Sequence, residues 1–311
     1  MAKSNSVLQM SLSLYRQTLK RVRWFHTGLH GTMTHLVIPL LERIRDFRTM
    51  PDDPFWFRIE LLTDRHEPET TTHLTRLIEP GMTVLDIGAH VGYYTRLASD
   101  RVGHRGQVIA FEPHPRNHAY LTRNVGKRGN IDIFNLALAE QEGTAELYDY
   151  LMMSASGSLH YDESLRDVQM AQVNEHDIAP RIGARFQPQT FTVRTAPVDD
   201  LLAEYDIQQV DVIKMDIEGA ELGALRGMTQ TVARSPRLSL VMEYNPLGLR
   251  AFGNDPLAAL REVLALGFTR LSVIEADARL TDYTDDFDGL AQLTDQLEQT
   301  MGVVNLLLQR H

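Results

Sequence analysis

The sequence predicts an α/β fold: a doubly wound, mostly parallel sheet preceded by a helical extension. Three observations carry this. Between residues 83 and 137, short apolar and β-branched runs alternate with helix-compatible runs, the pattern of parallel strands joined by crossover helices. The first of these strands ends in Asp86 and a turn containing Gly88 and Gly92. With 311 residues and an apolar share of 43%, the chain has room for one large α/β domain plus an appendage.

In chain order, residues 1–66 read as the helical extension. Val7 to His26 interleaves Leu8, Leu12, Leu14, Tyr15, Leu19, Val22 and Trp24 with Arg16, Lys20, Arg21 and Arg23, and Pro39 and Pro54 divide the rest into short helices. Phe55-Trp56-Phe57 reads as core filling. The α/β domain, 67–311, opens with a helix started at Pro68 and closed before Pro80-Gly81. There follow a strand at 83–88, a helix at 93–101, a strand at 107–112, a helix at 115–125 and a strand at 131–137. Over 143–195 the pattern loosens into a substrate-facing insertion, with an added strand at 145–150, a small-residue loop Ser154 to His160, and a polar stretch at 161–188. A strand at 190–195 and a helix at 197–204 precede the fourth core strand, Asp211 to Gly219. Asp199 and Asp200 read as caps in the first turn of that helix. Strands at 239–244, 268–274 and 303–308, a helix at 256–266 and an acidic loop at 282–288 complete the chain.

Ligands of such sheets lie beyond the carboxyl ends of the strands, where Asp86, Glu112 and Ala137 fall. The turn Asp86-Ile87-Gly88-Ala89-His90-Val91-Gly92 has His90 where a dinucleotide site needs its middle glycine. Its carboxylate opposes a phosphate and favours a cation. S-adenosylmethionine (SAM), a nucleoside with a sulfonium and an ammonium, suits the turn, with Glu112 placed for ribose hydroxyls and unpaired N–H groups expected at the helix start.

Asp86-x-Gly-Ala-His-x-Gly, Ala110-Phe111-Glu112-Pro113-His114-Pro115-x-Asn117, Asn135-Leu136-Ala137-Leu138, Val198-Asp199-Asp200-Leu201 and Lys214-Met215-Asp216-Ile217-Glu218-Gly219-Ala220-Glu221, in this order and spacing, resemble the FkbM family of SAM-dependent methyltransferases over about residues 67–243. The resemblance implies a class I SAM-methyltransferase (Rossmann-like) sheet with an antiparallel last strand, SAM as cofactor with S-adenosylhomocysteine as product, and O-methylation of a hydroxyl. The implied cofactor set is Asp86, Gly88, Ala89, His90, Gly92, Tyr93, Glu112, Pro113, Asn117, Ala137 and Asp216. The acceptor classes implied are a sugar, a glycolipid or a secondary metabolite.

Methyl transfer from a sulfonium requires alignment and removal of a proton from the hydroxyl, so a carboxylate or imidazole is expected beside the methyl group. Asp216, Glu218 and His160 are the catalytic candidates. Asp216, Glu218 and Glu243 holding a metal is the alternative, which neither spacing nor resemblance requires, and no metal is expected. Lys214 and Asp216 also read as a buried ion pair fixing local geometry. An inactive SAM-binding scaffold would lose the carboxylates kept here at 86, 112, 216 and 218, and an RNA methyltransferase would show a basic face with interleaved aromatics.

Charge is segregated. Residues 1–50 hold eight Lys or Arg and two Asp or Glu, net +6, leaving 23 bases against 39 acids in the remainder, net −16. Nucleic acid is therefore not expected as a partner. The basic segment is expected either to pack on its own domain or a second subunit, giving a homodimer, or to lie on an anionic membrane surface. The absence of cysteine excludes disulfides and thiolate chemistry. With no membrane-length apolar run and no signal-peptide pattern at the start, the expected address is cytoplasmic, including the inner membrane surface.

Overall fold

The computed structural model describes residues 33–149, 154, 157–159 and 189–310. Two helices, α1 (Ile38–Arg45, entered through a π-helical turn at Met33–Val37) and α2 (Phe55–Leu62), precede α3 (Pro68–Leu77). Pro39 and Pro54 begin helices instead of interrupting one: Pro39 stands in the first turn of α1, where its missing N–H costs nothing, and Pro54 is the N-cap of α2. The Val7 to His26 segment lies outside the described residues.

The α/β unit then runs β1 (Thr83–Ile87), α4 (Tyr93–Val102), β2 (Gln107–Phe111), α5 (Pro115–Val125) and β3 (Ile131–Phe134). After the insertion come α6 (Val198–Glu204), β8 (Val212–Met215), α7 (Glu221–Arg226), α8 (Thr229–Arg234), β9 (Ser239–Tyr244), α9 (Pro246–Ala251), α10 (Pro256–Ala265), β10 (Arg270–Ile274), β11 (Leu280–Asp282), α11 (Phe287–Thr300) and β12 (Val304–Gln309). These strands form one sheet in the order β11-β10-β12-β9-β8-β1-β2-β3. The five from β3 to β9 are parallel, and β12 is antiparallel to both its neighbours, β9 and β10. The predicted doubly wound sheet with an antiparallel last strand is what forms. That strand is inserted between β9 and β10, not added at the edge as a hairpin, and a helix the sequence pattern did not reveal, α11, makes the return.

β1 is flanked by β8 on one side and β2 on the other, so the chain winds outward from it in both directions. This is the topological switch point at which open α/β sheets leave a crevice beyond their carboxyl ends. Each sheet face is covered by its own apolar cluster. Leu85, Ile87, Ile109, Phe111, Ile213 and Met215 face one way, towards α6, α7 and α10. Val84, Val108 and Val212 face the other, packed with Ile38, Phe57, Leu61, Leu62, Leu74, Tyr93 and Ala98 of α1 to α4. The described part of the helical extension thus shares a core with the sheet.

The insertion builds a second sheet, β4 (Ala137–Leu138), β7 (Gln189–Ala196), β5 (Gly143–Asp149) and β6 (Gly157–Ser158), in that order. The expected single strand at 131–137 is therefore two. It breaks at Asn135, whose side-chain amide donates to the carbonyls of Glu112 (2.8 Å) and Pro113 (3.0 Å), and Ala137 leaves the main sheet to pair with Thr195. Asp199 caps a different helix from the expected one: its carboxylate accepts from the backbone N–H groups of Gln230 (2.9 Å) and Thr231 (2.7 Å) at the start of α8.

Candidate functional site

A cavity opens at the carboxyl ends of β1, β2 and β8, between the main sheet, the second sheet and the helical extension. Its floor is the turn after β1. Gly88 has φ +80°, and a Cβ there would lie 1.9 Å from the backbone oxygen of Asp216, so only glycine lets the β1 turn lie this close to the chain leaving β8. His90 is also left-handed, at φ +51°. Four of the turn's amides are taken up: Gly88 and Ala89 both donate to the Phe111 carbonyl at 3.0 Å, Gly92 donates to Ala89, and His90 N–H donates to Glu112 Oε2 at 2.7 Å.

Glu112 stands at one end of the cavity, 5% exposed. His90 N–H and His114 N–H (2.9 Å) hold its two oxygens, and the Asn117 amide donates to it at 3.5 Å. Burial pushes its pKa up to about 7 against these bonds. The His114 Nδ1 accepts from the Arg116 and Asn117 amides at the start of α5, which leaves Nε2 to donate to Asp149 Oδ2 of β5 at 3.1 Å. Ser154 closes this end over His90: the His90 Nε2 and the Ser154 Oγ are 2.5 Å apart, Asn117 donates to the Ser154 carbonyl (2.9 Å), and Asp53 accepts from both the Ser154 hydroxyl (2.7 Å) and amide (2.8 Å). Buried among these groups, the His90 imidazole has its pKa lowered to about 3 and is neutral.

Asp86 is not at the mouth of the turn. Strand alternation puts it on the same face as Val84, beneath α4, where its carboxylate accepts from Thr95 Oγ1 at 2.5 Å and sits in register with Lys214 of β8. It is buried and absent from the cavity wall, and its Oδ1 has no hydrogen-bond partner. Gly92 is likewise behind the wall, against Leu121.

The other end of the cavity is formed just past β8. Lys214 pairs with Asp216 Oδ2 at 3.3 Å, and its ammonium lies 5.0 Å from the centre of the Tyr94 ring. Burial opposes the lysine charge, but Asp216, Asp86 and Glu67 outweigh it and hold its pKa above the usual value. Asp216 and Glu218 follow the strand instead of extending it, and Glu218 is left-handed at φ +55°. Burial, with Asp216 and Glu221 nearby, raises the Glu218 pKa to about 8. Glu221 rises to about 7 through burial although its Oε1 accepts from the Ile217 and Gly219 amides, and Glu243 stands well above its usual value. Among the described residues, no three His, Asp or Glu side chains are grouped to hold a metal ion.

The cavity brings together Gly88, Ala89, His90, Tyr93, Glu112, Pro113, Asn117, Ala137, Asp216 and Glu218 of the predicted set. His160 lies outside the described residues, as do the whole 161–188 stretch and the rest of the small-residue loop apart from Ser154 and 157–159. Sequence reasoning missed a wall made by the extension. Phe57, Leu61 and His66 line the cavity, with the His66 ring 5.3 Å from Phe57, 5.4 Å from Tyr93 and 6.0 Å from Tyr94. Phe57 is thus core and wall at once, while Trp56 is exposed. Burial holds the His66 pKa below its usual value, with Lys214 acting the same way and Glu67 and Asp216 against it. The adjacent His66-Glu67-Pro68 at a helix start was the one available signal. What brings it to the site is packing against Tyr93 and Tyr94, 27 and 28 positions further on, and no local pattern encodes that.

These walls fit a cationic nucleoside. Among the described lining residues Lys214 is the only lysine or arginine, and it is paired; carboxylates stand at both ends and aromatic faces lie between.

The profile described as "Methyltransferase FkbM domain" matches residues 86–269. The 2-O-methyltransferase NoeI of Sinorhizobium fredii is 25% identical over 60% of this chain and 73% of its own length. The hexuronic acid methyltransferase AglP of Haloferax volcanii is 24% identical over 54% of this chain and 59% of its own, and the 31-O-demethyl-FK506 methyltransferase FkbM of Streptomyces tacrolimicus is 27% identical over 62% and 74%.

Proposed function

The chain belongs to the FkbM methyltransferase family, with SAM as its cofactor, and on that premise we propose that it methylates a hydroxyl oxygen of a sugar, glycolipid or related polyol. The observation that carries the reading is the cavity whose one end is Glu112, clamped by backbone amides, and whose other end gathers Asp216, Glu218 and His66. Bound SAM supplies a methyl group already activated by its sulfonium. The chain's own part is to align two molecules and to handle one proton.

Glu112 is the group for the ribose hydroxyls, held by the His90 and His114 amides so that its unused lone pairs face the cavity. Tyr93, Phe111 and Ala137 give the apolar surface for the nucleoside. At the opposite end, Asp216 is oriented by Lys214. Glu218, with its pKa near 8, keeps its proton at neutral pH and donates a hydrogen bond to the acceptor. His66, neutral because its pKa is lowered, takes the hydroxyl proton as the oxygen–carbon bond forms and the carbon–sulfur bond breaks. His160 remains a candidate for the same role. Relatives named as 2-O- and 31-O-demethyl-FK506 methyltransferases support an oxygen acceptor, and one named as a hexuronic acid methyltransferase supports a sugar.

The test is incubation of the full chain with methyl-labelled SAM and fractionated glycolipids and polysaccharides. A product that keeps its label through mild alkali and carries it on oxygen is an ether and is the expected result. Label lost to alkali, as from an ester, or found on nitrogen would overturn the hydroxyl reading.

A further inference from the structure

The outer face of α1 breaks the rule for a helix packed on a domain. Ile38 and Glu42 are buried against the core, as such a helix requires, yet the opposite face is not polar: Leu36, Leu40 and Ile44, spaced by four, are 66%, 58% and 67% exposed. Trp56 on α2, which contacts α1 through the Arg58–Glu42 ion pair, is 45% exposed. Half of the exposed large hydrophobic side chains of the described residues therefore fall between 36 and 56, beside exposed Arg43 and beside Arg45 and Arg48, which are exposed although paired with Asp64 and Glu42. It ends the stretch of sequence, 1–50, that carries net +6 against −16 elsewhere; 33–50 contribute +1 of this and residues 1–32, outside the described residues, +5.

We propose that this face docks on an anionic lipid bilayer. Apolar side chains at helical spacing flanked by arginines, with a tryptophan nearby, match the chemistry of the headgroup boundary, where leucines bury, cations meet lipid phosphates and indole rings lie at the interface. The charge segregation fixes the orientation, since an anionic surface attracts this segment and repels the acidic body. Two other occupants fit less well. A second copy meeting through a two-fold axis would set the net +6 segment against itself. A nucleic-acid backbone would use the arginines and leave the leucine stripe in water. The face also adjoins the site: Trp56 packs edge-on against Phe57 at 5.8 Å, and Phe57 lines the cavity. A membrane-anchored acceptor would be delivered beside the wall that includes His66.

The experiment is flotation of the full chain with phosphatidylcholine vesicles, with and without phosphatidylglycerol, alongside Leu36→Ser/Leu40→Ser/Ile44→Ser and Lys20→Glu/Arg21→Glu/Arg23→Glu variants. Calorimetric binding of S-adenosylhomocysteine checks that each variant keeps its site, independently of any acceptor. Expected are binding only to phosphatidylglycerol vesicles, weakened by salt, and a loss of about tenfold or more in each variant. Absence of vesicle binding by the folded wild type would overturn the proposal, as would full binding by the serine variant. A wild-type dimer that the serine variant converts to a monomer, without vesicle binding, would assign the face to a second copy instead.

Discussion

The carboxylate at the end of β2 and the carboxylates beyond β8 stand at two ends of one cavity and are held in opposite ways. Glu112 is gripped by the His90 and His114 amides at 2.7 and 2.9 Å, so its geometry is fixed by backbone that the turn and the start of α5 place. Glu218 and Glu243 lie instead among other acids, Asp216 and the amide-held Glu221, with Lys214 as the cation between Asp216 and Asp86. The first arrangement is rigid and suits binding. The second is crowded and suits moving a proton: burial raises carboxyl pKa values at both ends, and here like charges add to it.

The largest effect is expected where the two ends touch. Gly88→Ala puts a Cβ 1.9 Å from the Asp216 carbonyl at φ +80°, and should cost about 3 kcal/mol or more, read from urea unfolding. An unshifted midpoint would mean that the two ends are not held together by this contact. Next in size is the pH dependence of the acid-rich end. Glu218 has its pKa raised from 4.5 to about 8, so between those values the folded chain holds a proton that the unfolded chain has released. The stability this group contributes is present below about 4.5 and is lost as pH rises towards 8. Glu218→Gln should flatten that decline and raise stability at pH 8 by about 1–2 kcal/mol, while parallel melting curves for variant and wild type across that range would contradict the crowding. The smallest effect belongs to His90→Asn. His90→Asn, which tolerates φ +51°, should shift the melting temperature by the equivalent of under about 1 kcal/mol, and His90→Val by about 2 kcal/mol. Equal shifts would show that the Ser154 bond, not the backbone, is what His90 supplies.

Much of this was legible because it is local. The run Thr83 to Gly92 encodes a buried strand and a tight turn in adjacent residues, and Phe111-Glu112-Pro113 encodes a strand end and a helix start, so Gly88, His90 and Glu112 could be placed at the strand ends, while Asn117 came with the family resemblance. Asp86 was misplaced although alternation could have placed it, since Val84, Asp86, Val212 and Lys214 fall on one face once β1 and β8 are paired. That pairing is long-range. The same holds for Asp53, Phe57 and His66, which reach the site only because α1 to α3 pack on the sheet, and for the break at Asn135, which depends on carbonyls more than twenty residues away. Helix α11 was hidden by the acidic residues at its start, which resemble a loop until Asp286 is seen capping Gly289 N–H at 2.8 Å.

The central claim is that the cavity at the β1–β8 switch point holds the methyl donor through Glu112. Calorimetric titration of the full chain and of Glu112→Gln with S-adenosylhomocysteine tests it most directly. Micromolar binding by the wild type, weakened roughly 10–100-fold in a variant that melts at the same temperature, is the predicted result. Equal affinity in the two proteins, or no binding by the folded wild type, would contradict it.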